Sequence, residues 1–327
     1  MTQAALAESP AATPAPGLQL VLIDCPLCGE GEGEPVAVGK DFAHGVTQDS
    51  FLVLACGSCG LLYLNPRPGP EERRRLYPAE YFRGEESASR THQRPCVRAL
   101  LELVRSCRIA KPSAHVLEVG YGPTLHVTCL RQAGPGSWVL DVATPHSSLA
   151  RAAEGAGCRV YETPAEALDE GPARYDLVVL VYALEHCAFP LEELASLRRL
   201  LRPGGRLVVV TPNAGSRTCR LFRGRHWTGY DFPRHPCLYD AGALRRLAEA
   251  SGFTVERLRA RNHGGMWVRS AENFLADWAV PAWVRRLGAG MLPLLSGPVQ
   301  LAERLNGTNA TGAQLEAILR KPAETEV

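Results

Sequence analysis

The stretch from His115 to Val210 constrains the fold most, because it alternates short apolar strands with segments of helical pattern. His115-Val-Leu-Glu-Val reads as a strand, Pro123 to Gln132 as a helix opening on proline, and Ser137-Trp-Val-Leu-Asp as a second strand. Pro145 to Glu154 is a second helix with Thr144 as its candidate N-cap, and Cys158-Arg-Val-Tyr is a third strand. Asp176-Leu-Val-Val-Leu-Val is continuously apolar, as a strand buried on both faces should be. Leu191 to Leu201 is a helix stopped by Pro203-Gly-Gly, and Arg206-Leu-Val-Val-Val is a fifth strand. This order predicts an α/β fold, a doubly wound parallel sheet with helices on both faces.

The first strand runs into Glu118-Val-Gly120-Tyr121-Gly122-Pro-Thr124. Two glycines let the backbone approach a ligand at the carboxyl edge of the sheet, where open α/β sheets bind ligands. A dinucleotide enzyme usually adds a third glycine for helix packing, and Thr124 stands in that place. Asp141 follows about 20 residues on, the spacing of an acid that accepts from ribose hydroxyls. A turn-capping Asp, with Val142 at the key position, is the competing reading.

Cysteine spacing defines a second unit. Cys25-Pro-Leu-Cys28-Gly and Cys56-Gly-Ser-Cys59-Gly each let two thiolates of one tight turn reach a single ion. The glycine after each pair can take the positive φ that such a turn needs. Four sulfurs suit a closed, structural zinc site, flanked by strands at Phe51-Leu-Val-Leu-Ala and Leu61-Leu-Tyr-Leu. A redox dithiol would need no second copy. The other seven of the 11 cysteines are scattered, which fits reduced thiols rather than a disulfide framework.

A net charge of +2 gives no strong field for nucleic acid or an anionic membrane. No apolar run approaches the roughly 20 residues of a spanning helix, and the Ala/Pro-rich start lacks a secretory pattern. We therefore expect a cytoplasmic chain. The domain map reads as a disordered leader over 1–19, a zinc ribbon over 20–66, a linker with covering helices over 67–112, a ligand-binding core over 113–262, and an insertion with the final strand over 263–327.

Five runs carry a family resemblance. They are Cys25-Pro-Leu-Cys-Gly; Cys56-Gly-Ser-Cys-Gly-Leu-Leu-Tyr-Leu-Asn-Pro-Arg-Pro; Val116-Leu-Glu-Val-Gly-Tyr-Gly; Leu184-Glu-His; and Arg202-Pro-Gly-Gly-Arg-Leu with Thr211-Pro-Asn. Over about residues 22 to 322 the sequence resembles the class I S-adenosylmethionine-dependent methyltransferases, and more narrowly their bacterial subgroup with an N-terminal zinc ribbon. The resemblance implies a Rossmann-like seven-stranded sheet whose last strand is antiparallel, with an α-helical insertion before it. It implies that Glu118, Gly120 and Gly122 line the methionine end of the cofactor, that Asp141 holds the ribose, and that Ala165 and Glu166 lie near the adenine. Tyr182 would sit near the sulfonium. Thr124 and Tyr121 depart from the family pattern, which has a third glycine and a small residue or Cys there.

Methyl transfer needs an aligned nucleophile and, for a hydroxyl acceptor, a base. Histidine is the natural base near neutral pH. His186 follows strand four, and beyond strand five His226 and His235 flank an aromatic, polar segment from Trp227 to Arg234. His186 and His235 are the catalytic candidates; a structural hydrogen bond is the competing role for His186, packing is the reading for His226, and a Glu185/His186 metal site for substrate is a further alternative. Asp240 should cap a helix to Ala250, Thr254 to Ala260 a sixth strand, and Leu315 to Arg320 the last. Between them, Met266 to Leu305 is rich in Trp, Phe and Leu. It reads as a lid over an apolar acceptor, a contact with lipid-linked substrate, or packing against the sheet or a homodimer partner. The leading function is O-methylation of a small molecule such as a sugar, glycan precursor or secondary metabolite. The alternatives are an RNA methyltransferase using the ribbon to grip RNA, and a non-catalytic scaffold.

Overall fold

The computed structural model describes residues 17–78, 81–82, 90–109, 111–122, 124–134, 137–262, 264–278 and 311–323. Its centre is a seven-stranded sheet. The strands are β6 (His115–Val119), β7 (Val139–Ala143), β8 (Arg159–Tyr161), β9 (Tyr175–Val181), β10 (Leu201–Pro212), β12 (Thr254–Arg261) and β13 (Gln314–Arg320), in the order β12-β13-β10-β9-β6-β7-β8. β8, β7, β6, β9 and β10 run parallel, while β13 is antiparallel to both β10 and β12. The parallel core, its order and the reversed last strand agree with the expected methyltransferase architecture.

Alternation along the strands divides the interior into two layers. Leu117, Val119, Val178, Leu180, Leu207 and Val209 pack with Leu194 and Leu197 of α6 (Pro190–Leu200) and Leu244 and Leu247 of α8 (Ala241–Ala250). Val116, Val142, Leu177, Val179 and Val208 pack on the other face with Leu103 and Val104 of α2 (Arg90–Ser106) and Leu130 of α3 (Val127–Ala133). A sheet covered on both faces explains why β9 is almost entirely buried.

The caps show where local chemistry set the boundaries. Asp240 accepts from the Ala243 N–H at 2.7 Å, and Gly252 beyond the helix end takes φ +75°. Two helices begin later than the sequence pattern predicts. The first is α3, which starts at Val127, not Pro123, because the His126 N–H is drawn off to the Glu118 carboxylate at 2.6 Å. The second is α4 (Ser147–Gly155), not Pro145; the Thr144 hydroxyl accepts from the His146 N–H at 3.3 Å, one residue ahead of the helix. The apolar insertion is described only through α9 (Gly264–Asp277) and Trp278; its remaining residues, Trp283, Leu287 and Met291 among them, lie outside the described residues.

The N-terminal sheet joins β2 (Gly33–Gly39), β3 (Phe51–Cys56) and β4 (Leu62–Leu64), matching the two strands expected around the second cysteine pair. Its fourth strand, β11 (Cys237–Leu238), comes from beyond β10 and pairs antiparallel with β4, Cys237 opposite Tyr63. Leu61, Tyr63 and three of the paired cysteines share one buried cluster with Leu184, Cys187 and Tyr239. The ribbon therefore packs directly on the carboxyl edge of the large sheet.

Candidate active site

The four cysteines of the ribbon converge. The Sγ atoms of Cys25 and Cys59 lie 3.5 Å apart and those of Cys28 and Cys56 3.4 Å apart, and all four fall within 4.8 Å of one another. Tetrahedral zinc with Zn–S bonds near 2.3 Å needs sulfur separations of about 3.8 Å, so the set fits such an ion closely. Gly29 and Gly60, after each pair, take φ +76° and +71° and donate to the Cys25 and Cys56 carbonyls. No protein position is left open, which suits a structural site.

Glu118, Gly120, Tyr121 and Gly122 come together at the carboxyl end of β6. The Glu118 carboxylate is buried. One oxygen accepts from the His126 N–H and faces the His126 ring at 3.0 Å, while Oε2 has no partner among the described residues. A buried carboxylate oxygen left bare is expensive unless a ligand supplies a donor. Gly122 sits where a Cβ would lie 2.7 Å from the Tyr182 carbonyl oxygen, so only glycine lets this loop pass the end of β9. The Tyr121 hydroxyl turns away and donates to Glu193 at 2.7 Å, with its carbonyl 3.0 Å from His146 Nε2. An ammonium-bearing cofactor fits this cradle: an unpaired acceptor beside a loop stripped of side chains.

Tyr182 ends β9 with φ +49°, a left-handed conformation uncommon for a bulky residue, and its hydroxyl donates to Gln314 at 2.6 Å. Ala165 and Glu166 lie in α5 (Pro164–Asp169), beyond the carboxyl end of β8; the Glu166 carboxylate accepts from the Glu162 N–H, and its own N–H donates to Thr163.

Asp141 is not brought to this cluster. It stands opposite Leu117 in mid-strand, two residues short of the end of β7, where Ala143 takes the terminal place. Its carboxylate accepts from the Tyr175 hydroxyl at 2.8 Å and lies 4.0 Å from Arg174. Leu117 and Leu140 belong to different layers, so Asp141 faces away from Glu118. The 20-residue spacing placed an acid in the right strand but at a position already occupied by a structural network.

The two histidine candidates do meet. His186 closes a short 3-10 turn after β9 (Leu184–His186), and His235 precedes β11; their rings meet edge to face, 4.5 Å between centroids. His235 Nδ1 donates to the Gly229 carbonyl at 2.7 Å, which leaves the lone pair on Nε2. His186 Nδ1 faces the Arg234 carbonyl at 3.3 Å and the Tyr77 hydroxyl at 3.0 Å. With Nδ1 donating to the Arg234 carbonyl the His186 lone pair lies at Nε2; with Nδ1 accepting from the Tyr77 hydroxyl it is Nε2 that carries the proton. Burial lowers both imidazoles below their ordinary values, so both are neutral at pH 7. His186 Nε2 lies 3.6 Å from where a Gly122 Cβ would stand, which sets the pair against the cofactor loop.

Glu185 completes the group. It is fully buried, accepts from the Thr211 hydroxyl at 2.8 Å through Oε2, and has no partner for Oε1 among the described residues. Burial pushes its carboxyl up to about 8. The ligand atoms of Glu185, His186 and His235 lie within 4.8 Å of one another. Asp231 flanks them, with Oδ2 3.8 Å from His235 Nε2 and a left-handed φ of +30°. His226 lies apart, 3.0 Å from Asp277, consistent with a packing role.

Sequence reasoning missed Tyr77, His146 and Arg234. Arg234 is fully buried, pairs with Asp41 at 2.6 Å and Asp231 at 3.1 Å, and donates to the Leu76 carbonyl. It pins the His235 segment to the ribbon and to α1 (Arg73–Leu76). No local pattern announces such contacts between distant parts of the chain.

The methyltransferase domain family matches residues 89–258, just over half of the chain. No curated protein matches the sequence. Among solved structures, the chain is similar to an S-adenosylmethionine-dependent methyltransferase from Archaeoglobus fulgidus, at 18% identity over 69% of this chain and 94% of that one, TM-score 0.44. It is similar to a cyclopropane synthase from Mycobacterium tuberculosis at 14% identity, over 68% and 83%, TM-score 0.41. A geranyl diphosphate C-methyltransferase from Streptomyces coelicolor gives 11%, 68% and 80%, and 0.40. Overlaps this distant carry no argument about the acceptor. Among the described residues no helix is long and apolar enough to cross a membrane. The family match, the order of the sheet and the glycine loop at the end of β6 together make the chain a member of the class I S-adenosylmethionine-dependent methyltransferases.

Proposed function

We propose that the protein transfers a methyl group from S-adenosylmethionine to a hydroxyl oxygen of a small molecule, a sugar, glycan precursor or secondary metabolite. The observation that carries this reading is the contact between two unlike half-sites. A glycine loop with a bare buried carboxylate oxygen abuts a pair of neutral imidazoles packed edge to face. Bound S-adenosylmethionine would supply the methyl group and the sulfonium that leaves as a thioether. Glu118 would accept from the ammonium of its methionine end, with Gly120 and Gly122 giving the backbone close access. Tyr182 would border the sulfonium, and Ala165 and Glu166 the adenine.

On the acceptor side, His235 Nε2 is the proton acceptor the geometry offers. Its tautomer is fixed by Gly229, and burial keeps it unprotonated at pH 7. His186 sits between His235 and the cofactor loop and orients the acceptor. The exposed Phe274 and Trp278 of the α9 region favour an apolar or lipid-linked acceptor, for which liposome flotation is the test. The four ribbon cysteines would hold one structural zinc.

Incubation with methyl-labelled S-adenosylmethionine and a panel of hydroxylated acceptors tests the central reaction. Label appearing in an ether product supports the proposal. Label found only on nitrogen or carbon would replace oxygen as the accepting atom.

A further inference from the structure

The Glu185, His186 and His235 cluster has a property that a simple base does not need. Each residue presents one ligand atom to the same place, all within 4.8 Å of one another. His235 is held through Nδ1 by the Gly229 carbonyl at 2.7 Å, and His186 through Nδ1 by the Tyr77 hydroxyl at 3.0 Å and the Arg234 carbonyl at 3.3 Å, so that Nε2 is the atom each ring leaves for an ion. Glu185 is fixed through Oε2 by Thr211, and its Oε1 is buried and unpartnered among the described residues. This is the outer arrangement that metal-ligating side chains require: each ligand's far atom is hydrogen-bonded, so its near atom is oriented and made more basic. Two residues near it in sequence or space take left-handed backbone, Tyr182 at φ +49°, three residues before Glu185, and Asp231 at φ +30°, beside His235. Such conformations persist where surrounding structure enforces them, and they gather at functional sites.

We infer that Glu185, His186 and His235 form a second metal site, distinct from the four cysteines, that takes a divalent transition-metal ion. Two imidazoles and one carboxylate on a divalent ion leave coordination positions open. The ligand atoms lie within 4.8 Å of one another, and modest rotation of each side chain brings them to the roughly 3 Å separations of a site with bonds near 2.0–2.1 Å. A bound cation would take Glu185 in its carboxylate form and supply the partner that buried Oε1 lacks. Asp231 Oδ2, 3.8 Å from His235 Nε2, stands at the rim as a second anionic group.

The consequence for chemistry rests on the methyl-transfer reading above. An acceptor with two adjacent oxygens, such as a vicinal diol or an α-hydroxy acid, would chelate the open positions. Coordination lowers the pKa of a bound hydroxyl; in the metal-loaded site, where His235 Nε2 is on the ion, the proton would pass to solvent, and the transfer to His235 proposed above applies to the metal-free site. The resulting oxygen nucleophile then takes the methyl group while the sulfur keeps the bonding pair. The site thus selects acceptors by their paired oxygens.

The test is zinc stoichiometry of the full chain, measured by elemental analysis after loading with zinc alone and gel filtration. Parent protein should hold two ions per chain. His186→Ala and His235→Ala should each hold one, and Cys56→Ser should lose the other. Cobalt substitution reports the fold of each variant: the strong thiolate charge-transfer bands of the ribbon should persist in the histidine variants, while the weaker nitrogen/oxygen-ligand bands vanish. One ion per chain in the parent, or two retained by a His186→Ala/His235→Ala double variant with intact thiolate bands, would overturn the inference. S-adenosylmethionine binding, measured in parallel, separates the two claims. Cofactor binding with a single metal refutes the second site alone, whereas two metals without cofactor binding refutes the methyl-transfer reading alone.

Discussion

Gly122 and Tyr182 meet so closely that a Cβ on the glycine would lie 2.7 Å from the tyrosine carbonyl oxygen. The obstacle is backbone at the end of the central strand, so it cannot swing aside. Gly122→Ala should therefore displace the loop at a cost of about 1–3 kcal/mol in overpacking strain. We predict a loss of S-adenosylmethionine affinity of roughly tenfold or more, at 1.4 kcal/mol per decade. Calorimetry checks the affinity, and an unchanged far-ultraviolet spectrum checks the fold.

His235 should matter to turnover more than to cofactor binding. In the proposed reaction its Nε2 serves the acceptor side, whereas Glu118 and Gly122 serve the cofactor side. His235→Ala should lower methyl incorporation by about 10²- to 10⁴-fold, the range for loss of an acid–base group. Its S-adenosylmethionine affinity should stay within about twofold of the parent. Equal turnover in variant and parent removes His235 from the reaction.

The Asp41–Arg234 pair should hold the His235 segment in place. Both side chains are fully buried, and Arg234 has a second anionic partner in Asp231. Asp41→Ala leaves much of a buried charge uncompensated and should destabilise the protein by roughly 3–5 kcal/mol, less whatever Asp231 recovers. Urea denaturation measures it. Burial raises the Asp41 pKa, but the Arg234 guanidinium and the His44 and Val46 N–H groups outweigh it, so the net shift is downward. A depressed folded-state value means that the pair's stabilisation is fully present above the unfolded pKa near 4. It is lost as pH falls below that toward the lowered folded value. The parent should lose stability faster than Asp41→Asn between about pH 4 and pH 2.

Zinc removal should reach the acceptor side. β4 of the ribbon pairs with β11, and β11 begins two residues after His235. Chelation, or Cys56→Ser, should therefore loosen the His235 segment as well as the ribbon. Hydrogen exchange should show lost protection at Cys237 and Leu238, with β6 and β9 unchanged. Protection retained in β11 after the metal is gone would show that the ribbon's sheet stands without it.

What the sequence revealed divides by distance. The five parallel strands and the Asp240 cap rest on local periodicity and turn chemistry, with strand two displaced by two residues, while the reversed last strand was implied by the family resemblance. The cysteine pairs carry their geometry in their spacing, so their convergence was legible too. Asp141 shows the limit of spacing alone. A shift of two residues along β7 moves a carboxylate from the strand's end into mid-sheet, where Tyr175 already occupies it. The delayed start of α3 has the same origin, since the Glu118 side chain claims the His126 N–H ahead of the helix. The meeting of His186, Tyr77 and the adjacent Arg234 and His235 joins three segments, and no single window of sequence contains it.

The most direct test is calorimetric titration of S-adenosylmethionine into zinc-loaded protein, with Gly122→Trp as a control whose indole blocks the loop. The account predicts one-to-one binding in the parent and none in the control. Absence of binding to folded parent protein, or equal binding by both, would contradict a cofactor site at the Glu118–Gly122 loop.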